Sequence, residues 1–508
     1  MTLDFNEIVI ETNDPKLFEF EDNSNYFTLA TRKLALMIRS IAPYGYCNIP
    51  RYIDIFGFKS KNKPIYVSTG GIYVDRVSLN YEKEEMLKRH EENPNYLYEI
   101  VNKCEKDWIK IFKFTKKIKT SDLGKYSDDK IKELFIAGCE LLTNLGTYLT
   151  FPHSIQSYLE ENVMNGIKHS IKDIEKVQEY FNILTTTSKQ NTSYFEQIGI
   201  LKLAVLYNQK NKIDNELDLK IEEYLDNFGI IGVKNGVGEV WTKEEVIERI
   251  KQLSKENPRR KLNELLKLPE FQNDKADNLL IELKADKKFR DIVNVTRLYV
   301  YFRNLRTDAI SQGFALMYPL FSEIARRNNL ELSDIIECTP EEIATFKFPP
   351  KEIIKSRNEN SIVRGIDGKL YYIYGNSAKI AIEKIEKIIY DKEFNFKNKD
   401  QIKGVIGNKG ISKGRVKIVM NNKEFNKVER GDIIVAPMTT PDYVTILEKA
   451  SAIITDEGGI TSHASVISRE LGIPSIIGTK IASRFLHDGD LVEVNANLGV
   501  VRILTRAK

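Results

Sequence analysis

Along the last part of the chain, short apolar runs alternate with glycine-marked breaks, whereas the long stretch before it repeats apolar residues at helical spacing. Ala450 to Ile454 and Ser475-Ile476-Ile477 are runs of strand type. Between them Ala464, Ile467 and Leu471 fall on one stripe of a helix. Thr461 or Ser462 can cap its start, and Gly472 followed by Pro474 stops it. The pattern predicts strand, Gly-Gly turn, helix, strand. Upstream, Leu34, Met37, Ile38 and Ile41 predict a helix over 27–41. Pro64 to Val74 reads as a hairpin turning at Gly70-Gly71, Ile230 to Trp241 as one turning at Asn235-Gly236, and Ile362 to Tyr374 as one turning at Asp367-Gly368. Helices are expected over 82–90, 103–119, 127–149, to about 168 after Phe151-Pro152-His153, and over 175–184 and 193–207. Capping boxes open helices at Thr242 and Thr339, and 291–328 is one long amphipathic helix or a pair.

Composition adds limits to this picture. The 508 residues are enough for two to four domains. Hydrophobic content of 42% and charged content of 29% are ordinary for a globular protein with sizeable cores. Lys and Arg number 76 against 72 Asp and Glu, and no long basic tract stands out, which argues against a nucleic-acid partner. The four cysteines are far apart and form no C-x-x-C pair, so a zinc site or disulfide framework is not expected and a reducing cytoplasm is the default. The mixed, acidic first residues are no signal peptide, and no uninterrupted apolar run reaches the ~20 residues that span a bilayer, so no membrane partner is expected.

The candidate chemistry sits at the Gly-Gly turn. Gly458 and Gly459 let the backbone approach a ligand with positive φ. The first turn of a helix offers free N–H groups and a positive dipole end, which suit a phosphoryl group. His463 lies in that turn beside the hydroxyls of Thr461 and Ser462, and a neutral imidazole has a ring nitrogen free to attack phosphorus. His90 reads as a solvent-facing side chain, and His153 and His169 as ordinary histidines rather than ligands. On the 291–328 helix, Tyr299, Phe302, Arg303 and Arg306 share one side. That side is either an anion-facing surface, with Arg303 and Arg306 as candidates, or a core stripe edged by solvated arginines.

Thr455-Asp456-x-Gly458-Gly459-x-Thr461-Ser462-His463-Ala464, with Arg469-Glu470-x-Gly472-Ile473-Pro474, resembles the phosphohistidine motif of the phosphoenolpyruvate-utilising enzymes. Gly431 to Asp442 is similar to the strand and loop before that motif, and Gly410 to Val419 to the glycine-containing hairpin that opens the domain. The resemblance implies a swivelling carrier with His463 phosphorylated and Gly458, Gly459, Thr461, Ser462 and Arg469 around the phosphoryl group. Arg469, six positions past His463, points its stem to the other side of a regular helix. A looser similarity links Gly70 to Val74, the helix around Arg303 and Arg306, and the capped helix at Thr339 to the substrate-binding portion of rifampicin phosphotransferase and its relatives.

The expected fold is multidomain. A largely α-helical substrate-type domain with small β-hairpins, mixed α/β over 1–120 and mainly helical over 121–386, leads through a linker at 387–403 to an α/β (β/β/α) swivelling domain at 404–508. No stretch resembles the family's ATP-grasp domain, and no Walker-type loop is present. The pyruvate-binding barrel that follows the carrier in phosphoenolpyruvate synthase is not among the 508 residues either. The resemblance therefore implies a cytoplasmic phosphotransferase component: an ATP-grasp partner subunit loads His463, Mg²⁺ accompanies the nucleotide on that partner, and a small-molecule acceptor takes the group. A self-contained phosphoenolpyruvate synthase-like kinase and a non-enzymatic phosphocarrier or regulator are the alternatives.

Overall fold

The period-2 and period-3.6 segments separate into two units. The computed structural model describes residues 9–12, 14–18, 26–31, 34–233, 240–393, 400–420, 422–439, 443–459 and 462–507. One unit takes described residues of Met1–Phe18, Leu34–Ser68 and Asp75–Ile380; the other takes those of Glu19–Lys33, Thr69–Val74 and Ala381–Lys508. The helix Tyr96–Thr120 and the helix Asp128–Gly146 fall in the same unit, so its fold runs on past residue 120. The segment from 387, expected to be a linker, is helix to Glu393 and strand again from Gln401. Residues 394–399 lie outside the described residues. Ile382, Ile385 and Ile389 recur at helical spacing and are buried, and this stripe carries the helix into the charged segment.

The first unit is an array of helices. Along Tyr96–Thr120 the buried positions are Leu97, Ile100, Val101, Cys104, Asp107, Ile111, Thr115 and Ile118, the spacing of one helical face. The 291–328 pattern resolves into Lys287–Leu316 and Tyr318–Arg327. Both capping boxes form, at Thr242 and at Thr339. Strands β1 (Val9–Glu11), β3 (Ile65–Val67), β5 (Ser361–Ile366) and β6 (Lys369–Tyr374) do not stay separate hairpins but lie side by side in the order β1-β6-β5-β3. β1 is parallel to β6, and β5 is antiparallel to both β6 and β3. Asp367 and Gly368, both with positive φ, make the β5–β6 turn.

Three local expectations change. Tyr26–Thr31 is a strand (β2), and the helix starts only at Leu36, because Tyr-Phe-Thr-Leu-Ala-Thr is rich in strand formers. Gly229–Gly232 is a short 3-10 helix where an arm of the Asn235-Gly236 hairpin was expected, and 234–239 lie outside the described residues. Trp241 stacks on Tyr224, which ties that segment to the helices. His90 is half-buried, and burial pulls its imidazole below its ordinary value. The helical stretch Asp128–Ser170 is long and apolar enough to cross a membrane by length and composition, but 61% of its apolar window is buried inside the protein, as in a core helix. The thiols of Cys47, Cys104, Cys139 and Cys338 are free and buried.

In the second unit, which also holds most of β4 (Gly71–Asp75), eight strands among the described residues form one sheet: β7 (Gln401–Lys403), β8 (Val405–Asn408), β9 (Ile411–Ile418), β10 (Ile433–Ala436), β11 (Ala452–Thr455), β12 (Ser475–Ile477), β13 (Leu491–Asn495) and β14 (Val500–Thr505). Their order is β7-β14-β13-β9-β10-β11-β12-β8. The central β9, β10, β11 and β12 are parallel, and the flanking pairs are antiparallel. Gly410 to Val419, expected as a hairpin, is instead the single strand β9, which pairs with β10 and β13, while β8 before it pairs with β12. Gly410, at φ +140°, turns the chain between them. Side chains alternate between two cores. Ile433, Val435, Ala452, Ile454 and Ile476 pack with Val492 and Val494, whereas Ile434, Ala436, Ile453 and Ile477 pack under helices with Ala464 and Ile467.

β7 and β8 stand at opposite ends of the strand order, yet only Gly404 separates them in the chain. The sheet must therefore curl until its two edges meet there, which leaves few unpaired edge groups. Gly404 donates its N–H to the carbonyl of Gly499 at 3.0 Å, and a Cβ on it would lie 2.7 Å from the Ile476 Cγ2 atom and the Ile477 carbonyl. Gly404→Ala is expected to cost about 1–3 kcal/mol through this overpacking. A lowered thermal midpoint with retained far-UV spectrum is the expected result.

Glu82, in the first unit, is fully buried and accepts from Ser60 (3.2 Å), Asn62 (2.5 Å) and Ser154 (2.7 Å), all neutral donors. Burial raises its carboxyl from the ordinary 4.5 to about 7, against the pull of those hydrogen bonds. The folded protein thus holds this proton more tightly than the unfolded chain. The resulting stabilisation is full below the unfolded value and is lost as pH rises through the folded one, a change of about 3 kcal/mol. Denaturant midpoints followed from the ordinary carboxyl range to neutrality should fall with pH, and Glu82→Gln should flatten that slope.

Candidate active site at the glycine elbow

The site grows from the carboxyl end of β11. After Thr455 the chain keeps to its β10 side: Asp456 donates its N–H to Ala436 (3.1 Å) and Glu457 to Pro437 (2.8 Å). The buried Thr455 hydroxyl donates to the Glu457 carbonyl at 2.7 Å and tightens the turn. Gly458 then takes φ +119°, and a Cβ there would lie 2.9 Å from the Ser462 hydroxyl oxygen. At Gly459 a Cβ would meet nothing within 4 Å, so the elbow is open on that side.

The Gly459 carbonyl accepts from the Ser462 N–H (2.8 Å) and the Ser465 hydroxyl (3.0 Å). Ser462 is the N-cap of the helix His463–Glu470 and accepts from the Ser465 N–H at 3.4 Å. His463 is the first residue of that helix. Thr461, the other expected cap, lies outside the described residues. Ala464 and Ile467 are buried and Leu471 packs against the same core, the stripe read from the sequence. The opposite edge is lined by hydroxyls: buried Ser468 pairs with Ser475 at 2.7 Å. Arg469 is exposed and donates its Nε to the Ser465 carbonyl at 3.0 Å, back along its own helix.

Sequence reasoning quoted Asp456 without giving it a role, and missed Thr479 and Ser483 altogether. Asp456 is buried, and burial raises its carboxyl above the ordinary value while hydrogen bonds from Ser483 and Thr479 pull the other way. The available signal was the repetition of a strand ending in a hydroxyl-bearing turn, Ile476-Ile477-Gly478-Thr479, one parallel strand beyond Thr455.

In the other unit Arg306 is buried, with a guanidinium nitrogen 2.6 Å from His153 Nε2. Guanidinium only donates, so Nε2 accepts and the ring proton sits on Nδ1. Arg303 is half-buried and lines a small cleft with Gln156, Glu160 and Tyr299. The core-stripe alternative of the sequence holds for Tyr299 and Phe302, both buried; it expected Arg306 in solvent, but Arg306 is buried too, with a guanidinium nitrogen against His153. Among the described residues no cluster of His, Cys, Asp or Glu could hold a metal ion.

A sequence profile of the PEP-utilising enzyme mobile domain matches residues 428–499, the span that contains β10 to β13 and the elbow. The chain thus carries a PEP-utilising enzyme mobile domain. A probable phosphoenolpyruvate synthase of Archaeoglobus fulgidus is 43% identical over 136 residues, which are 26% of this chain and 18% of that protein. An uncharacterised phosphotransferase of Bacillus subtilis is 40% identical over 127 residues, 25% of this chain and 15% of the relative. The match thus takes in less than a fifth of either relative. Among solved structures, an Enzyme I protein overlaps 75% of this chain and 81% of its own at 12% identity, with a TM-score of only 0.18, too low to carry an argument.

The elbow geometry makes Gly458 the least replaceable glycine of the mobile domain's turn. Gly458→Ala combines the left-handed φ with a clash against Ser462. It is expected to cost about 1–3 kcal/mol and to shift the backbone resonances of 456–466. Gly459→Ala, with open space around its Cβ, should be milder in both measurements.

Proposed function

We propose that this chain is a phosphotransfer component in which His463 carries a phosphoryl group between a donor and a small hydroxyl acceptor. The observation that supports the reading best is the elbow itself: an open Gly459, a strained Gly458 and a serine cap set His463 at the first turn of a helix. Unpaired N–H groups and the dipole of that first turn suit a dianionic phosphoryl group. The mobile-domain match takes in this segment, and similar proteins are named phosphoenolpyruvate synthase and phosphotransferase.

In this reading a ring nitrogen of His463 attacks phosphorus, the donor O–P bond breaks and an N–P bond forms. In the second step the acceptor oxygen attacks, the N–P bond breaks and the acceptor loses its hydroxyl proton. Gly458, Gly459, Thr461 and Ser462 hold the phosphoryl oxygens, and positioning and charge stabilisation supply most of the rate. Arg469, whose Nε donates to the Ser465 carbonyl, is the candidate charge beside them. The donor is ATP on an ATP-grasp partner subunit, with Mg²⁺ held alongside the nucleotide on that partner, where it neutralises phosphate charge. The acceptor binds the helical unit, with Arg303 at its small cleft as the candidate contact and Arg306 behind it.

Incubation with labelled ATP and candidate ATP-grasp partners should give acid-labile, base-stable label on the wild-type chain and none on His463→Ala. Label that persists in His463→Ala would refute the assignment. Label from phosphoenolpyruvate alone would keep the histidine but move the donor.

A further inference from the structure

We propose that Asp456 is a positioning residue for phosphoryl transfer, clamping the glycine elbow to the loop 478–483. The inference rests on the phosphohistidine reading of His463. The Asp456 carboxylate is buried two residues before Gly458; its side-chain hydrogen bonds among the described residues come from that segment, and the Arg484 charge acts on it from just beyond. One oxygen accepts from the Ser483 N–H at 3.0 Å and the Thr479 hydroxyl at 3.2 Å; the other accepts from the Ser483 hydroxyl. The Thr479 hydroxyl also lies 3.0 Å from the Thr455 carbonyl, so its one proton is shared between strand end and carboxylate.

The backbones meet as well. Thr479 donates its N–H to Thr455 (3.0 Å) and Lys480 to Asp456 (2.9 Å). Gly478, at φ +65°, comes so close that a Cβ on it would sit 2.8 Å from the Gly458 carbonyl oxygen. Lys480 takes φ +68°, a conformation a lysine keeps only where its surroundings fix it. The loop therefore touches the elbow at its glycine and grips it through a carboxylate. A buried carboxylate needs all of its donors. Conversely, an amide at 456 keeps one acceptor and turns a donor toward Ser483, which loosens the grip without touching the cores on either side of the sheet.

Potassium phosphoramidate offers a test that needs no partner. Its P–N bond breaks, a ring nitrogen–phosphorus bond forms, and the ring proton leaves with ammonia. Site-resolved mass spectrometry of the full chain gives the labelling rate at His463 relative to exposed His169 and His487, which serve as internal references. In the wild type His463 is expected to label faster than both. If it does not, the phosphohistidine reading itself fails. Asp456→Asn should lower the His463 ratio about tenfold and raise the half-saturating phosphoramidate concentration there, with the reference rates unchanged. Thr479→Val should lower the ratio about threefold, and Thr479→Ser, which keeps the hydroxyl, should restore it. Wild-type preference for His463 that survives in both Asp456→Asn and Thr479→Val would overturn the clamp while leaving the histidine assignment standing. Should Asp456→Asn fail to fold, the Thr479→Val and Thr479→Ser pair decides alone.

Discussion

The candidate site depends on β11 being buried on both faces. Ala452 and Ile454 point into one core and Ile453 into the other, so the strand cannot tilt or slide without uncovering apolar side chains on both sides. Parallel pairing to β10 and β12 fixes its register. The chain must then leave the sheet at one place, immediately after Thr455, and turn at once into a helix that covers Ile453 and Ile477. That demand for a sharp exit explains the two glycines. The candidate elbow is thus the corner that a doubly buried parallel strand forces on the chain, and ligands are commonly bound at the carboxyl ends of such strands.

Closure of the sheet serves the same end. A four-stranded parallel core with free edges would twist and splay, and the elbow would move with it. Antiparallel strands flank it on both sides, and the edges return to each other at Gly404. The hydroxyl-rich seam below the helix fits this demand. Ser465, Ser468 and Ser475 are fully buried and hydrogen-bonded, which lets the helix approach β8 and β12 closely where Leu or Ile side chains would hold it away.

What was legible in the sequence follows from range of interaction. The helix after the elbow, its Ser462 cap, its apolar stripe and its Gly472 stop are set by neighbours within a few residues, and all could be read directly. So could the Asp367-Gly368 turn and the two capping boxes. The sheet partners could not. Nothing local to Gly410 says that the strands on either side of it pair with strands some seventy and eighty residues on, since pairing is decided by which apolar faces must be shared. The same holds for Asp456. Its motif position was visible, but its partners Thr479 and Ser483 lie a strand and a helix further along, and only the folded corner brings them together.

Each unit buries a carboxyl among neutral donors, and burial raises both above their ordinary values. In the helical unit Glu82 accepts from Ser60, Asn62 and Ser154, which come from two separate segments of the chain. In the mobile domain Asp456 accepts from two hydroxyls and a backbone N–H of one segment, 479–483, and the seam beneath the helix is neutral serine. An interior of that kind changes little when a dianion arrives or leaves at the helix N-terminus, because its own dipoles are already fixed. The proposed carrier role, which calls for the same geometry loaded and unloaded, fits that indifference.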